Sequence, residues 1–274
     1  MITYGEKAAC FRALHEHGTF VIPNPWDAGT AKVCEQLGFL ALATTSGGLA
    51  MALGRPDTAN AVSRDEALGN ARQIVEATAV PVSADLENGY GDSPDACAAT
   101  IEAAAAVGLC GGSIEDATGR AETPLYSFDD AVARVRAAVA AARRLPTDFV
   151  LVARAEGILH RVQDLDEVIR RLVAFADVGA DCLYAPGLKT RDEIRAVVRG
   201  VAPKPVNVLV AADIGLTVAD LAALGVRRVS VGSALARVAF TAFRKAAEEI
   251  AGQGSFAGFA GIDPLATING RFRA

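Results

Sequence analysis

The sequence predicts an α/β protein folded as a (β/α)8 TIM-type barrel with an extra helical segment at its C-terminus. Three observations lead to this fold class: the length of the chain, the alternation of apolar runs with amphipathic stretches, and a repeated helix-to-strand junction. A chain of 274 residues suffices for one barrel with a large core. We expect a single domain over residues 1–274, with the barrel at about residues 18–250 and the extension at about residues 251–274.

Eight short apolar runs predict strands, and Ala-rich amphipathic stretches predict the helices between them. Strands are expected at residues 20–23, 39–45, 80–87, 111–115, 149–155, 182–185, 206–210 and 229–231. Helices are expected at residues 64–77, 94–106, 128–144, 165–176, 191–198, 218–223 and 234–251. Strict alternation of strand and helix implies parallel strands joined by crossover helices.

One junction recurs four times: a helix end, then glycine, then a strand. The glycines are Gly38, Gly108, Gly179 and Gly225. Glycine readily takes the left-handed conformation that ends a helix. The repetition favours a closed barrel over two unlike domains. A doubly wound open sheet is the alternative, although no Gly-x-Gly-x-x-Gly follows the first strand.

The composition limits which binding partners and which cellular compartment we expect for this protein. The net charge of −5 argues against nucleic acid or an anionic membrane as the main partner, but not against a small anionic substrate. No apolar run reaches the ~18 residues that a membrane span needs. The five cysteines form no Cys-x-x-Cys pair, which is typical of a reducing compartment. We therefore expect a cytoplasmic protein that acts on small molecules. His15 and His17 are expected on its surface.

Acidic residues follow the third and fourth strands, at the barrel face where chemistry gathers. Asp85 and Glu87 are two apart on a predicted strand and should point to the same side, and Glu115 ends the next strand. Such carboxylates repel one another unless a cation intervenes. Oxygen-only ligands suit Mg²⁺, or alternatively Mn²⁺. We predict a metal site at Asp85, Glu87 and Glu115; surface carboxylates that cap helices or pair with arginine are the alternative.

Substrate contacts are predicted on the neighbouring strand ends. Thr45-Ser46-Gly47 follows the second strand, where glycines expose N–H groups able to hold a carboxylate or an enolate oxygen; an ordinary turn is the alternative. Arg154 can fork a substrate carboxylate while Glu156 fixes its orientation, or the two can form a structural ion pair. Asn207 lies on the seventh strand. Asp57 has the sequence context of a turn or helix-capping aspartate.

Six segments occur in order along the chain: Asn24-Pro25-Trp26-Asp27-Ala28, Thr45-Ser46-Gly47, Gly54-Arg55-Pro56-Asp57, Asp85-Leu86-Glu87-Asn88-Gly89-Tyr90-Gly91, Ile114-Glu115-Asp116 and Ala153-Arg154-Ala155-Glu156. Together they resemble the isocitrate lyase/phosphoenolpyruvate mutase superfamily, and the resemblance extends over about residues 20–240. It implies a carbon–carbon lyase that works through an enolate held on Mg²⁺. It also implies a homo-oligomer, a dimer or tetramer with exchange of a C-terminal helix.

The resemblance also implies roles for single residues. Asp85 resembles the direct Mg²⁺ ligand, with Glu87 and Glu115 held through water. Asp57, Arg154 and Ser46 are implied as catalytic residues, the first of them near the metal. Substrate binding is implied for Thr45, Ser46, Gly47, Arg154 and Asn207.

One departure from the superfamily concerns the loop after the fourth strand. Its lyases carry Lys-x-Cys-Gly-His there, whereas this chain has Ala117-Thr118-Gly119-Arg120-Ala121-Glu122-Thr123-Pro124. The resemblance therefore implies a Mg²⁺-dependent lyase for a 2-oxo or 2-hydroxy di- or tricarboxylic acid of the oxaloacetate, isocitrate or methylisocitrate type. Decarboxylation needs no loop cysteine. The alternatives are C–P chemistry on phosphonopyruvate or phosphoenolpyruvate, and a non-catalytic barrel that binds a 2-oxo acid.

Overall fold

Eight parallel strands surround the centre of the molecule. The computed structural model describes residues 2–58 and 61–272. The strands are β1 (Phe20–Ile22), β2 (Leu42–Ala43), β3 (Val82–Asp85), β4 (Gly111–Glu115), β5 (Val150–Arg154), β6 (Cys182–Tyr184), β7 (Val206–Leu209) and β8 (Arg228–Ser230). Strands β2 to β8 pair in chain order, and β8 pairs with β1. The predicted fold class, a (β/α)8 barrel, is confirmed.

The seam between β1 and β2 is closed by single hydrogen bonds. The backbone N–H of Ala43 donates to the carbonyl of Pro23 (3.0 Å). The Asn24 amide donates to the carbonyl of Thr44 (3.0 Å), and its oxygen accepts from the backbone N–H of Val231 (2.9 Å). One buried side chain thus ties together the ends of β1, β2 and β8, at the face of the barrel that carries the site.

At least one helix follows each strand, and another helix precedes β1. They are α1 (Tyr4–Leu14), α2 (Ala28–Gln36), α3 (Ser46–Ala52), α4 (Arg64–Ala77), α5 (Pro94–Ala106), α6 (Phe128–Arg144), α7 (Leu165–Asp177), α8 (Arg191–Gly200), α9 (Val218–Ala223), α10 (Ala234–Gln253) and α11 (Leu265–Phe272), with a 3₁₀ turn at Ala257–Phe259. The seven helices expected from the sequence all form, and each ends within two residues of its expected end. The four junction glycines all have positive φ, as predicted.

The second strand is shorter than expected, and a helix replaces the expected loop after it. β2 covers two residues where seven were predicted, because Thr45 leaves the strand to cap α3, accepting from the N–H of Gly48 (3.2 Å). A Cβ on Gly48 would lie 3.1 Å from the Cβ of Trp26. Glycine here lets α3 pack closely at the barrel mouth, so the segment predicted as an open glycine turn is a buried helix start.

Helix α1 closes the barrel floor. Phe11 is fully buried there and packs with β1 residues such as Phe20. His15 is buried between these two rings, with centroid distances of 4.8 Å to Phe11 and 5.1 Å to Phe20. The expectation of a surface position was wrong for His15, because α1 turns this side inward, whereas His17 is exposed. Burial lowers the pKa of His15 to about 3, with a further contribution from Arg228.

The expected helical segment after the barrel is present. It contains the 3₁₀ turn and α11, and it follows α10, the last helix of the barrel. Large apolar side chains are exposed on α10 (Val238, Phe243) and on the segment itself (Ile262, Leu265). No helix in the two described ranges is long and apolar enough to cross a membrane.

Candidate active site

The polar side chains predicted from the sequence converge at the carboxyl ends of the strands. A cavity of about 180 Å³ enters the barrel there, lined at its mouth by Ser46, Asp57, Asp85 and Arg154. An adjoining cleft shares most of these residues and extends to Glu87, Glu115 and the loop at residues 117–124. The site therefore has an inner part inside the barrel and an outer part under that loop.

Arg154 is the hub of the site. It ends β5 beside Glu115, its register partner on β4. Its guanidinium contacts Asp85 (Nη1–Oδ1, 2.9 Å), Glu115 (Nη2–Oε2, 3.3 Å) and Glu156 (Nε–Oε1, 2.8 Å). The predicted pairing with Glu156 is present, and two further carboxylates share the same cation.

Asp85 is held at the start of α3. Its carboxylate accepts from the hydroxyl of Ser46 (Oγ–Oδ2, 2.9 Å), and its backbone N–H donates to Thr44 Oγ1 (3.1 Å). Arg154 holds the other oxygen of this carboxylate (Nη1–Oδ1, 2.9 Å). Ser46 thus lies within reach of the position predicted for metal binding.

Glu87 reaches the cleft by a different route from the one predicted. β3 ends at Asp85, so strand alternation does not orient Glu87; its backbone instead takes a left-handed conformation with φ of 46°. Tyr90 is also left-handed, with φ of 58°. Two such residues in one short loop are strained and indicate a constrained functional segment. Glu87 is buried and lines the outer cleft.

Buried Arg134 fixes this strained loop, a role that the sequence did not reveal. From α6 its guanidinium donates to the backbone carbonyls of Asn88, Gly91 and Asp92. An arginine in an Ala-rich helix has the sequence appearance of a solvated residue. Only the packing of α5 against α6 brings it beneath the loop.

Asp116 and Arg171 form a buried ion pair (2.9 Å) that positions Glu156. The other Asp116 oxygen accepts from the backbone N–H of Glu156 (2.8 Å). The end of β5 is therefore anchored to the end of β4. Glu156 in turn holds the Nε side of Arg154, so the outer nitrogens of the guanidinium are presented to the mouth.

The carboxylates of the cleft outnumber its cations. Burial raises the pKa of Glu115 well above its usual range, and Glu156, Asp85 and Glu87 add to the rise while Arg154 opposes it. The pKa of Glu156 is raised by burial as well. The cleft therefore contains more carboxyl groups than Arg154 can balance if all of them are ionised.

Asp57 belongs to the site although its residue as a whole is exposed. Its carboxylate lies against the α3 backbone, since a Cβ on Gly47 would be 2.5 Å from Asp57 Oδ2. The pKa of Asp57 is raised, first by partial burial and then by Asp85. An aspartate of this kind can take up a proton more readily than a solvated one.

The remaining predicted substrate-binding residues, Thr45 and Asn207, line the inner cavity. Some of their polar atoms already form hydrogen bonds within the protein. The Thr45 hydroxyl caps α3, and Asn207 donates to Ser230 Oγ (2.9 Å). The Asn207 amide oxygen is buried without a hydrogen-bond partner in the described part of the chain.

The loop at residues 117–124 folds as a small hairpin over the outer cleft. Thr118 donates its N–H to the carbonyl of Pro124 (2.8 Å). Arg120 turns toward Asp92 (2.9 Å), and both side chains are largely exposed. The guanidinium of Arg120 therefore pairs with Asp92 and not with the carboxylates around Arg154.

The charge and donor type of this cluster fit a hard divalent cation. All donors are carboxylate oxygens, which suit Mg²⁺ or Mn²⁺, and their ionised forms need more positive charge than Arg154 alone supplies. Within residues 2–58 and 61–272, however, no three acidic, His or Cys side chains converge as a ready ligand set. Arg154 lies between Asp85 and Glu115 instead.

The barrel carries its cavity and its polar cluster at the carboxyl ends of its strands, which is where barrel enzymes place their active sites. The model of the phosphoenolpyruvate phosphomutase family matches residues 11–251. The chain belongs to this family, and with it to the PEP mutase/isocitrate lyase superfamily. The resemblance inferred from the sequence is confirmed.

Three relatives show the range of the family. A Burkholderia cenocepacia J2315 protein, provisionally described as a lyase/mutase, is 53% identical with a TM-score of 0.95, covering 99% of this chain and 97% of its own. The oxaloacetate decarboxylase of Rhodopseudomonas palustris (strain BisB5) is 31% identical, covering 72% of this chain and 68% of its own. A phosphonopyruvate hydrolase solved with oxalate and Mg²⁺ is 28% identical with a TM-score of 0.86, covering 97% and 94%.

Proposed function

We propose that this protein is a Mg²⁺-dependent carbon–carbon lyase for a small 2-oxo or 2-hydroxy di- or tricarboxylic acid, with decarboxylation of oxaloacetate as the first reaction to test. The observation that carries the proposal is the cluster of Asp85, Glu115 and Glu156 around Arg154 at the mouth of a cavity. This cluster combines a fork for a substrate carboxylate with surplus carboxylates for a cation.

In this proposal, different residues bind the substrate, stabilise negative charge and hold a proton. Arg154 binds the substrate carboxylate through Nη1 and Nη2, which contact Asp85 and Glu115 and would become available once those two carboxylates hold the metal. The hydroxyl of Ser46 and the N-terminus of α3 stabilise negative charge on a neighbouring oxygen. Asp57, with its raised pKa, is placed to hold a proton at the mouth.

Asp85, Glu87 and Glu115 would hold the metal. When bound, Mg²⁺ supplies positive charge that polarises a 2-oxo carboxylate and stabilises the charge that develops on bond cleavage. The related phosphonopyruvate hydrolase, solved with oxalate and Mg²⁺, supports this part of the proposal.

Decarboxylation is preferred because it needs no acid/base residue on the loop at residues 117–124. The relationship to oxaloacetate decarboxylases supports this choice. C–P cleavage is the alternative, supported by the phosphonopyruvate hydrolase. It requires clamping of a phosphoryl group by cations, and the loop's Arg120 is paired with Asp92.

A substrate panel tests the proposal. Purified protein is assayed with oxaloacetate, isocitrate, methylisocitrate and phosphonopyruvate, each with Mg²⁺ and with EDTA. We expect Mg²⁺-dependent release of pyruvate from oxaloacetate above the rate without protein. Faster turnover of phosphonopyruvate than of any other acid would favour the C–P alternative. Tight binding of 2-oxo acids without turnover would favour a non-catalytic barrel.

We also propose that the protein works as a homo-oligomer in the cytoplasm. The exposed apolar side chains of α10 and of the C-terminal segment, including Phe243 and Leu265 at more than 70% exposure, need a partner surface. Exchange of this segment between copies as a dimer or tetramer would cover them. Sedimentation of the wild type and of Phe243→Ser tests this, since the variant should dissociate.

The five free cysteines support a reducing compartment.

A further inference from the structure

Arg228 is a buried guanidinium without an ionic partner. It lies on β8 and is 6% exposed. Its Nε and Nη1 have no hydrogen-bond partner, and no ion pair joins it to a carboxylate in residues 2–58 and 61–272. The ionisable groups that act on its charge include Cys182, Tyr184, His15 and the second cation Arg154. Burying an unpaired charge costs free energy. A bound anion beside Arg228 would offset that cost.

The guanidinium lines the inner cavity of the active site. Arg154, Tyr184, Asn207 and Arg228 occupy consecutive register positions on β5, β6, β7 and β8. All four side chains line the same cavity, which runs from the mouth into the barrel. Since the strands of a barrel are tilted, such a row passes from one end of the barrel toward the other.

The cavity is closed below Arg228. Phe11 of α1 is fully buried, and the Arg228 guanidinium lies 6.0 Å from the centre of its ring. Burial keeps the neighbouring His15 neutral. An anion can therefore reach Arg228 only from the mouth, past Arg154. Two cations that line one cavity, Arg154 at its mouth and Arg228 deeper in the barrel, match a molecule with two carboxylates.

We propose that Arg228 binds the distal carboxylate of the substrate and so selects dicarboxylic over monocarboxylic acids. This inference rests on the proposed function in one respect, the binding of the first carboxylate at Arg154. The buried, unpaired oxygen of Asn207, the register neighbour of Arg228, offers an acceptor to a hydroxyl group or a water molecule beside that carboxylate.

Binding of malate and lactate tests the proposal, because the two 2-hydroxy acids differ by the distal carboxylate. Calorimetry with Mg²⁺ present should give at least a roughly tenfold lower Kd for malate than for lactate in the wild type. In Arg228→Met the malate Kd should rise to the lactate value while the lactate Kd stays constant. Arg228→Lys should retain part of the preference. Arg227→Met is the matched control, since Arg227 turns outward to the carbonyl of Gly18.

The outcomes separate this inference from the lyase proposal. A wild type that binds malate and lactate equally, or a preference that persists in Arg228→Met, overturns the role of Arg228. Arg228→Met should fold with an unchanged or higher melting temperature, because it removes an unpaired charge. If it does not fold, the ratio in Arg228→Lys decides: an unchanged ratio overturns the inference. Absence of turnover with an Arg228-dependent preference removes the lyase and leaves the dicarboxylate site.

Discussion

Acid should destabilise the barrel floor through His15. The imidazole is buried between Phe11 and Phe20, its Nδ1 bonds to the carbonyl of Phe11 (2.8 Å), and its Nε2 has no partner among the described residues. Burial lowers its pKa to about 3. The folded protein therefore keeps the ring neutral at a pH where the unfolded chain has already taken up a proton.

The sign and the size of the effect follow from this difference. The stabilisation is complete above the unfolded pKa of about 6.5 and is lost as the pH falls toward 3. Within this window the unfolded state binds one more proton, so the free energy of unfolding falls by about 1.4 kcal/mol per pH unit. Over the whole window the loss amounts to about 4–5 kcal/mol.

Urea unfolding at several pH values between 7 and 4 measures the effect. His15→Met should lose this part of the pH dependence and become less acid-sensitive than the wild type, although it forfeits a hydrogen bond at every pH. His17→Gln, at an exposed position, is the control and should follow the wild type. Equal slopes for the wild type and His15→Met would refute the reasoning.

Three further substitutions probe the mouth. Gly47→Ala should fold but lower kcat roughly 10–100-fold, because its Cβ displaces the Asp57 carboxylate; unchanged kcat would remove Asp57 from the site. Asn24→Leu should lower the free energy of unfolding by about 2–4 kcal/mol in urea titrations, because it opens the seam; a smaller loss would mean that backbone pairing suffices. Arg154→Lys should lower kcat/KM roughly 100-fold or more, whereas Arg120→Lys should leave it within a few-fold; equal effects would contradict the fork.

Local sequence signals were enough for the barrel and for most strand ends. Apolar runs marked the strands, and the repeated glycine marked the junctions, because both depend on neighbouring residues alone. The start of α3 was missed because Gly47-Gly48 is typical of a loop. The helix forms there because Thr45 caps it. Glycine occupies position 48 because Trp26 and Ala236 leave little room for a side chain.

Contacts that are distant in sequence were beyond prediction. The strand spacing suggested one common side for Asp85 and Glu87, yet a left-handed turn brings Glu87 to the cleft. Arg134 and Arg228 resemble surface arginines in the sequence. Only the packing of α6 under a loop and the tilt of β8 bury them.

We propose that the carboxylate cleft is a metal-dependent lyase site. Its most direct test is the rate of pyruvate release from oxaloacetate by the wild type and Asp85→Asn, in EDTA and after Mg²⁺ is restored. We predict turnover by the wild type that EDTA abolishes and Mg²⁺ restores, and a folded Asp85→Asn variant that stays inactive at every Mg²⁺ concentration. Equal, EDTA-resistant rates for both proteins would contradict the account.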